Sequence, residues 1–223
     1  YGMNETRMLA KFCSELNYDD LPHEVVEKAK DVVLDYLGVA ILGSSQAHSE
    51  MILDYIKTLG GRPESTVLGD GCKIPSQNTA LINGSMGHGL ELDDVINEAS
   101  LHPGTVIIPA SLAVGEREQL SGKDLILAIV LGYEVMTRIG MAVNPAAHYD
   151  QGFHPTGTCG SFGATASVCK IFELDDDKFT NAFGIAGSLA SGSMEFLVEG
   201  SMTKRLHPGE AARNGILSME LAR

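Results

Sequence analysis

Apolar residues recur at three- and four-residue intervals along most of the chain, the period of a helix with one face on a core. Met8, Leu9, Phe12 and Leu16 share one face of a short first helix that Asn4 or Thr6 can cap. Pro22 sits where a longer helix begins and its missing N–H is harmless. Val25, Val26, Ala29, Val32, Val33, Tyr36, Leu37 and Ala40 then follow at helical spacing until Gly43 stops the run. A third helix spans about Ala47 to Leu59 and ends at Gly60-Gly61. Ser65–Gly69 is the one clear strand-like run, and helical spacing resumes from Pro75-Ser76 towards Leu90. Further helices are predicted over 103–119, 122–141, 156–172, 176–191 and 208–221, with Ser121, Asp175 and the His-Pro junctions as starts. The pattern predicts one all-α domain over residues 1–223, undivided by repeat, low-complexity tract or linker.

Two segments are rich in small residues, Gly157–Ala164 and Gly184–Ala190. Glycine inside a helix costs about 1 kcal/mol against alanine, so it points to close backbone approach, by another helix or by a ligand. The spacing Gly157, Gly160, Gly163 lacks the preceding strand of a dinucleotide fingerprint.

Composition narrows the function. At 223 residues the chain can bury a substantial core, and with no Trp and 6% aromatics that core is built from Ala, Val, Ile, Leu and Met, which suits packed helices. The net charge of −13 and the absence of a basic stripe argue against nucleic acid and against an anionic membrane surface. No apolar run is expected to approach the ~20 residues of a membrane span. Cys13, Cys72, Cys159 and Cys169 form no close grouping, and the opening Tyr1–Thr6 has neither a basic nor an apolar signal region. Reduced thiols in a cytoplasmic setting are therefore expected.

Three stretches carry candidate chemistry. His102-Pro103-Gly104, His154-Pro155-Thr156 and His207-Pro208-Gly209 each place a His before a Pro that starts a predicted helix. Such starts offer free N–H groups and a positive dipole end, so three together would receive a carboxylate and favour neutral imidazole; singly, each His could simply cap its helix. Gly87–Asp94 holds His88, Glu91, Asp93 and Asp94, a set that could be a base, a metal site or a solvated helix end. A metal-dependent hydrolase built on His88, Asp93, Asp94 and His102 is one alternative, although no HExxH or DxDxDG pattern is present. Lys204-Arg205, just ahead of His207, could hold a carboxylate and counter enolate charge, or be surface solvation.

These pieces come in a familiar order. Gly87–Asp94, His102-Pro103-Gly104 with Val106–Ala110, Gly132–Val135, Phe153–Gly160 and Lys204–Ala212 together resemble the MmgE/PrpD family. The resemblance implies an all-α domain joined to a smaller α+β lid, a homodimer, and no metal or organic cofactor. The lid is not found within 1–223, so the chain is read as incomplete, a fragment or a truncated relative. Family site positions fall on Glu91, His102, His154 and Lys204, with Asp94 completing the acidic motif. Val95, which cannot donate a hydrogen bond, stands where decarboxylase members have Thr, and Glu91 where they have the shorter Asp.

The sequence therefore leads to a cofactor-independent lyase, a dehydratase or decarboxylase, acting on a small di- or tricarboxylate. His102 or His154 would move a proton beside a carboxylate-stabilised carbon, oriented by Glu91 or Asp94. Lys204, Arg205, His207 and Thr156 would bind the substrate. An epimerase on the same scaffold, or a non-catalytic helical module that binds or dimerises, are the alternatives.

Overall fold

The computed structural model describes residues 4–223; Tyr1–Met3, part of the opening segment discussed above, lie outside the described residues. The architecture is all-α, as the periodicity predicts. The helices are α1 (Glu5–Glu15), α2 (His23–Gly43), α3 (Ala47–Leu59), α4 (Ser76–Gly87), α5 (Gly104–Glu118), α6 (Gly122–Ala142), α7 (Pro145–Asp150), α8 (Pro155–Ile171), α9 (Asp176–Leu189), α10 (Phe196–Glu199) and α11 (Leu206–Ala222). Two strands, β1 (Ser65–Thr66) and β2 (Lys73–Ile74), pair antiparallel, so the strand-like run shrinks to two residues and gains a partner the sequence did not show. Ser121 and Asp175 act as the expected caps, accepting from the Asp124 and Lys178 N–H groups.

The centre is α8, flanked by α11, α6 and α5, with α4 on the far side of α11 and α5. One apolar cluster gathers around Val106, Ile107, Val135, Met136 and Ile216, and a second around Tyr36, Ile82, Met86 and Ile108 beneath α2 and α3. Small residues let the backbones of α4, α8 and α11 touch. A Cβ on Gly209 would stand 2.0 Å from the Leu81 carbonyl oxygen. Gly157, Gly160 and Gly163 likewise face Ser191, Ala211 with Val106, and Met136, so this small-residue segment serves helix packing. The second segment is looser: nothing lies within 4 Å of a Cβ on Gly184, a Cβ on Gly187 would meet only the Phe162 ring, and Ala186 is the buried residue.

Four departures from the sequence pattern matter. Helix α4 stops at Gly87 instead of running to Leu90, and residues 88–103 form a loop with Glu91 and Ser100 at positive φ. Carboxylates at a helix C-terminus oppose its dipole, and here the chain leaves the helix before the acidic run. Helices α7 and α10 are too short for periodicity to reveal. Helix α11 begins at Leu206, directly after a 3-10 turn over Met202–Arg205, so His207-Pro208 lies inside its first turn and not before it. Finally, α6 is long and apolar enough, by length and composition, to cross a membrane, which corrects the expectation that no run came near that length. Here it packs on α8, α5 and α2 as a core helix.

Candidate active site

The 88–103 loop, the start of α8 and the start of α11 meet at one place and bring four histidines into a row. Ring centroids are 4.9 Å apart from His102 to His88, 6.0 Å from His88 to His154 and 5.4 Å from His154 to His207. Phe196 of α10 packs edge-on against both His154 and His207. His88 and His154 are buried, while the His102 side chain keeps 22% of its exposure.

Hydrogen bonds fix where protons sit. His102 Nδ1 lies 2.9 Å from the Asp94 carbonyl oxygen, which can only accept, so Nδ1 carries hydrogen and Nε2 keeps a lone pair. His88 Nδ1 donates to Asp93 Oδ2 at 2.8 Å, and that oxygen is also 3.4 Å from His102 Nδ1. His154 and His207 meet Nδ1 to Nδ1 at 3.1 Å, so between neutral rings one donates and the other accepts. The His102 N–H donates to Thr156 Oγ1 at 3.2 Å, tying the first turn of α8 to the entry of α5.

Burial dominates the electrostatics. It holds His154 down at about 2, with His88, His207, Lys204 and His102 adding to the effect. His102 and His207 also lie below the usual imidazole value through burial, Asp93 pulling His102 the other way. The Lys204 ammonium holds the Glu91 carboxyl below its ordinary range. Burial pushes Asp94 up to about 6 although the Tyr133 hydroxyl and the Gly104 N–H both donate to it. Near neutral pH the site thus offers His102, His154 and His207 uncharged beside a cation, the state in which imidazole can take a proton from carbon.

The residues singled out in the sequence separate into groups. His102, His154 and His207 do converge. Lys204 Nζ pairs with Glu91 Oε2 at 2.8 Å at the edge of the row. Arg205 turns elsewhere: its Nε donates to the Gly89 carbonyl at 2.9 Å, and it lines a cavity of about 370 Å³ with Gln46, His48, Glu91 and Met202. Asp94 accepts at the N-terminus of α5 and from Tyr133, and Thr156 is buried against the His102 backbone. Tyr133 and Phe196 were not singled out as site residues. Phe196 carries no sequence signal, whereas His88 and Asp93 stand in the sequence within a run open to three readings, a base, a metal site or a solvated helix end, with nothing to show that they pair.

His88, Asp93 and His102 are also the one group among the described residues whose ligand-type atoms lie within 4.8 Å of one another, as a metal site would require. Their facing atoms are engaged in hydrogen bonds, His88 to Asp93 and His102 to the Asp94 carbonyl, and a cation there would displace both. The donor set fits a hydrogen-bonded acid–imidazole group.

The MmgE/PrpD N-terminal domain matches residues 7–223. The chain is 34% identical to a cis-aconitate decarboxylase-like protein (oryM) of Aspergillus oryzae, over 99% of this chain and 47% of that protein. It is 33% identical to cis-aconitate decarboxylase of Aspergillus terreus and 31% identical to that of Homo sapiens, over 97% of this chain in each case and 45% and 46% of those proteins. The chain thus spans about half the length of the curated relatives it matches. With the domain match covering nearly the whole chain, the chain belongs to the MmgE/PrpD family.

Proposed function

We propose that this chain carries the helical half of a lyase site that decarboxylates or dehydrates a small di- or tricarboxylate without a metal or organic cofactor. The observation that supports this most is the four-histidine row, in which burial favours the neutral form of His102, His154 and His207, next to the Lys204–Glu91 pair. Lys204 supplies the charge that receives a substrate carboxylate, exchanging Glu91 for it. His102, with Nδ1 held by the Asp94 carbonyl, presents Nε2 as base, and the imidazolium formed there carries the proton that can be returned, while His154 and His207 hold one another Nδ1 to Nδ1 beside it. In dehydration His102 takes the proton beside a carboxylate and, as imidazolium, gives it to the departing hydroxide, which leaves as water. In decarboxylation the electron pair of the broken C–C bond rests on the unsaturated carboxylate until the carbon takes a proton from the His102 imidazolium, which draws it from water. Both routes pass through an anionic carbon stabilised by a carboxylate, which a fixed cation favours. The likeness to cis-aconitate decarboxylases supports decarboxylation of a tricarboxylate as the first activity to test. Epimerisation on the same scaffold, which would return the proton to the opposite face, is the second reading.

The test is turnover of cis-aconitate and related carboxylates in EDTA, with His102→Gln and His154→Gln as variants. General acid–base catalysis contributes roughly 10²–10⁴ in rate, and each variant is expected to lose a factor of that order. Near-normal rates in both variants, or activity lost to EDTA and restored by a metal, would overturn the proposal. A well-folded protein inert to every carboxylate would favour a binding or dimerisation module.

A further inference from the structure

Asp93 and His88 form a buried acid–imidazole pair to which the reaction outlined above gives no task. The Asp93 side chain is 2% exposed and that of His88 is fully buried. Asp93 Oδ1 and His88 Nε2 find no hydrogen-bond partner. Taking a carboxylate out of water is expensive, and a single hydrogen bond does not restore what hydration gave it. If the pair served only to pin the loop, an apolar pair of similar volume would do so with less penalty. What distinguishes it is its direction. The oxygen that accepts from His88 Nδ1 at 2.8 Å is also 3.4 Å from Nδ1 of His102, whose N–H is bonded to the Asp94 carbonyl, so one carboxylate charge lies against two imidazoles.

We propose that Asp93, locked in place by His88, is the positioning residue for His102. While the Asp94 carbonyl accepts the His102 Nδ1–H, the Asp93 charge 3.4 Å from Nδ1 favours the tautomer whose Nε2 is the base, and it provides the counter-charge when that Nε2 has taken a proton. The inference rests on the proposed role of His102. The charged and titratable groups acting on His102 are Asp93, His88 and Lys204. Of these, Asp93 is the one that stabilises the imidazolium; His88 and Lys204 oppose it. An opposite charge at this range moves an imidazole by roughly one to three pH units, so the loss of Asp93 is measurable at His102 itself.

The experiment is a ¹⁵N histidine NMR titration of the 223-residue chain and of Asp93→Asn, with the His102 signals assigned through His102→Gln. In the parent, His102 and His88 are expected as Nδ1–H tautomers when neutral, a result that needs no variant to fold. In Asp93→Asn the His102 pKa is expected to fall by about one to three pH units, and the acid limb of kcat/KM in active protein should move down by the same amount. Lowered kcat at unchanged KM would accompany it. An Nε2–H tautomer at His102 in the parent, or an unmoved His102 pKa in a folded Asp93→Asn, would overturn the proposal. So would a loss that EDTA reproduces and Zn²⁺ reverses, because the group would then be a metal site. If the His102 pKa falls as expected while His102→Gln keeps full turnover, the pairing stands and the assignment of His102 as base fails.

Discussion

The seam between α4, α8 and α11 and the histidine row at its end are built on opposite terms. In the seam, glycines and alanines replace side chains, backbones touch, and the contacts are apolar or satisfied within helices. In the row, a few angstroms away along the same helices, buried imidazoles and carboxylates are held by single hydrogen bonds, and polar atoms on His88 and Asp93 are left without partners. The seam gives the fold rigidity and the row spends some of it. His154 at the start of α8 and His207 in the first turn of α11 are positioned by helices that have no slack, which is how two rings can be kept Nδ1 to Nδ1 at 3.1 Å.

The comparison breaks most visibly at Gly209. Gly209→Ala places a methyl 2.0 Å from the Leu81 carbonyl oxygen, backbone that cannot step aside. A loss of about 3 kcal/mol or more in urea unfolding is expected, at the upper end for overpacking or beyond it. A loss below about 1 kcal/mol would mean the helices can slide and the row is not rigidly placed. The row should show itself through acid. Burial holds His154 down at about 2, so the folded chain keeps it neutral while the unfolded chain protonates it near pH 6.5. Its contribution is therefore complete above about pH 6.5 and is lost as pH falls, by about 1.4 kcal/mol per pH unit for one proton. His154→Gln should flatten that limb in unfolding measured at successive pH values; an unchanged slope would show that the ring is charged in the fold. The smallest effect sharpens the contrast from the other side. Gly184 has open space where a Cβ would go, so Gly184→Ala should raise stability by about 0.5–1 kcal/mol in the same urea assay. A loss of similar size would place Gly184 in the tight seam after all.

The sequence showed the elements whose signal is local. The 3.6-residue period of α2, α5 and α6, the caps Ser121 and Asp175 and the three His-Pro junctions all stand in the structure near where the pattern put them. It showed less where the structure depends on distant partners. Nothing in the spacing of Lys204 and Arg205 says that one turns to Glu91 and the other to the Gly89 carbonyl and a separate cavity. Thr156 follows His154-Pro155 in the sequence, yet its hydroxyl is occupied by the backbone of His102. The small-residue segments looked alike, but the glycines of α8 meet other helices closely while Gly184 meets nothing and Gly187 only the Phe162 ring, because α9 lies on its neighbours through Phe179, Ala182, Phe183 and Ala186. Phe196 sits in a four-residue helix that no period can announce.

The most direct measurement of the central claim is calorimetric titration of cis-aconitate into the chain and into Lys204→Ala, in EDTA. Lys204 pairs with Glu91 at a partly exposed position, where an ion pair is worth about 0–1 kcal/mol to the fold, so the variant should remain folded. The account predicts chelator-insensitive binding by the parent and a loss of about tenfold or more in affinity in the variant, since a charge-assisted contact contributes roughly 1.5–3 kcal/mol. Equal affinity in the two proteins, or binding that appears only when a divalent metal is added, would contradict it.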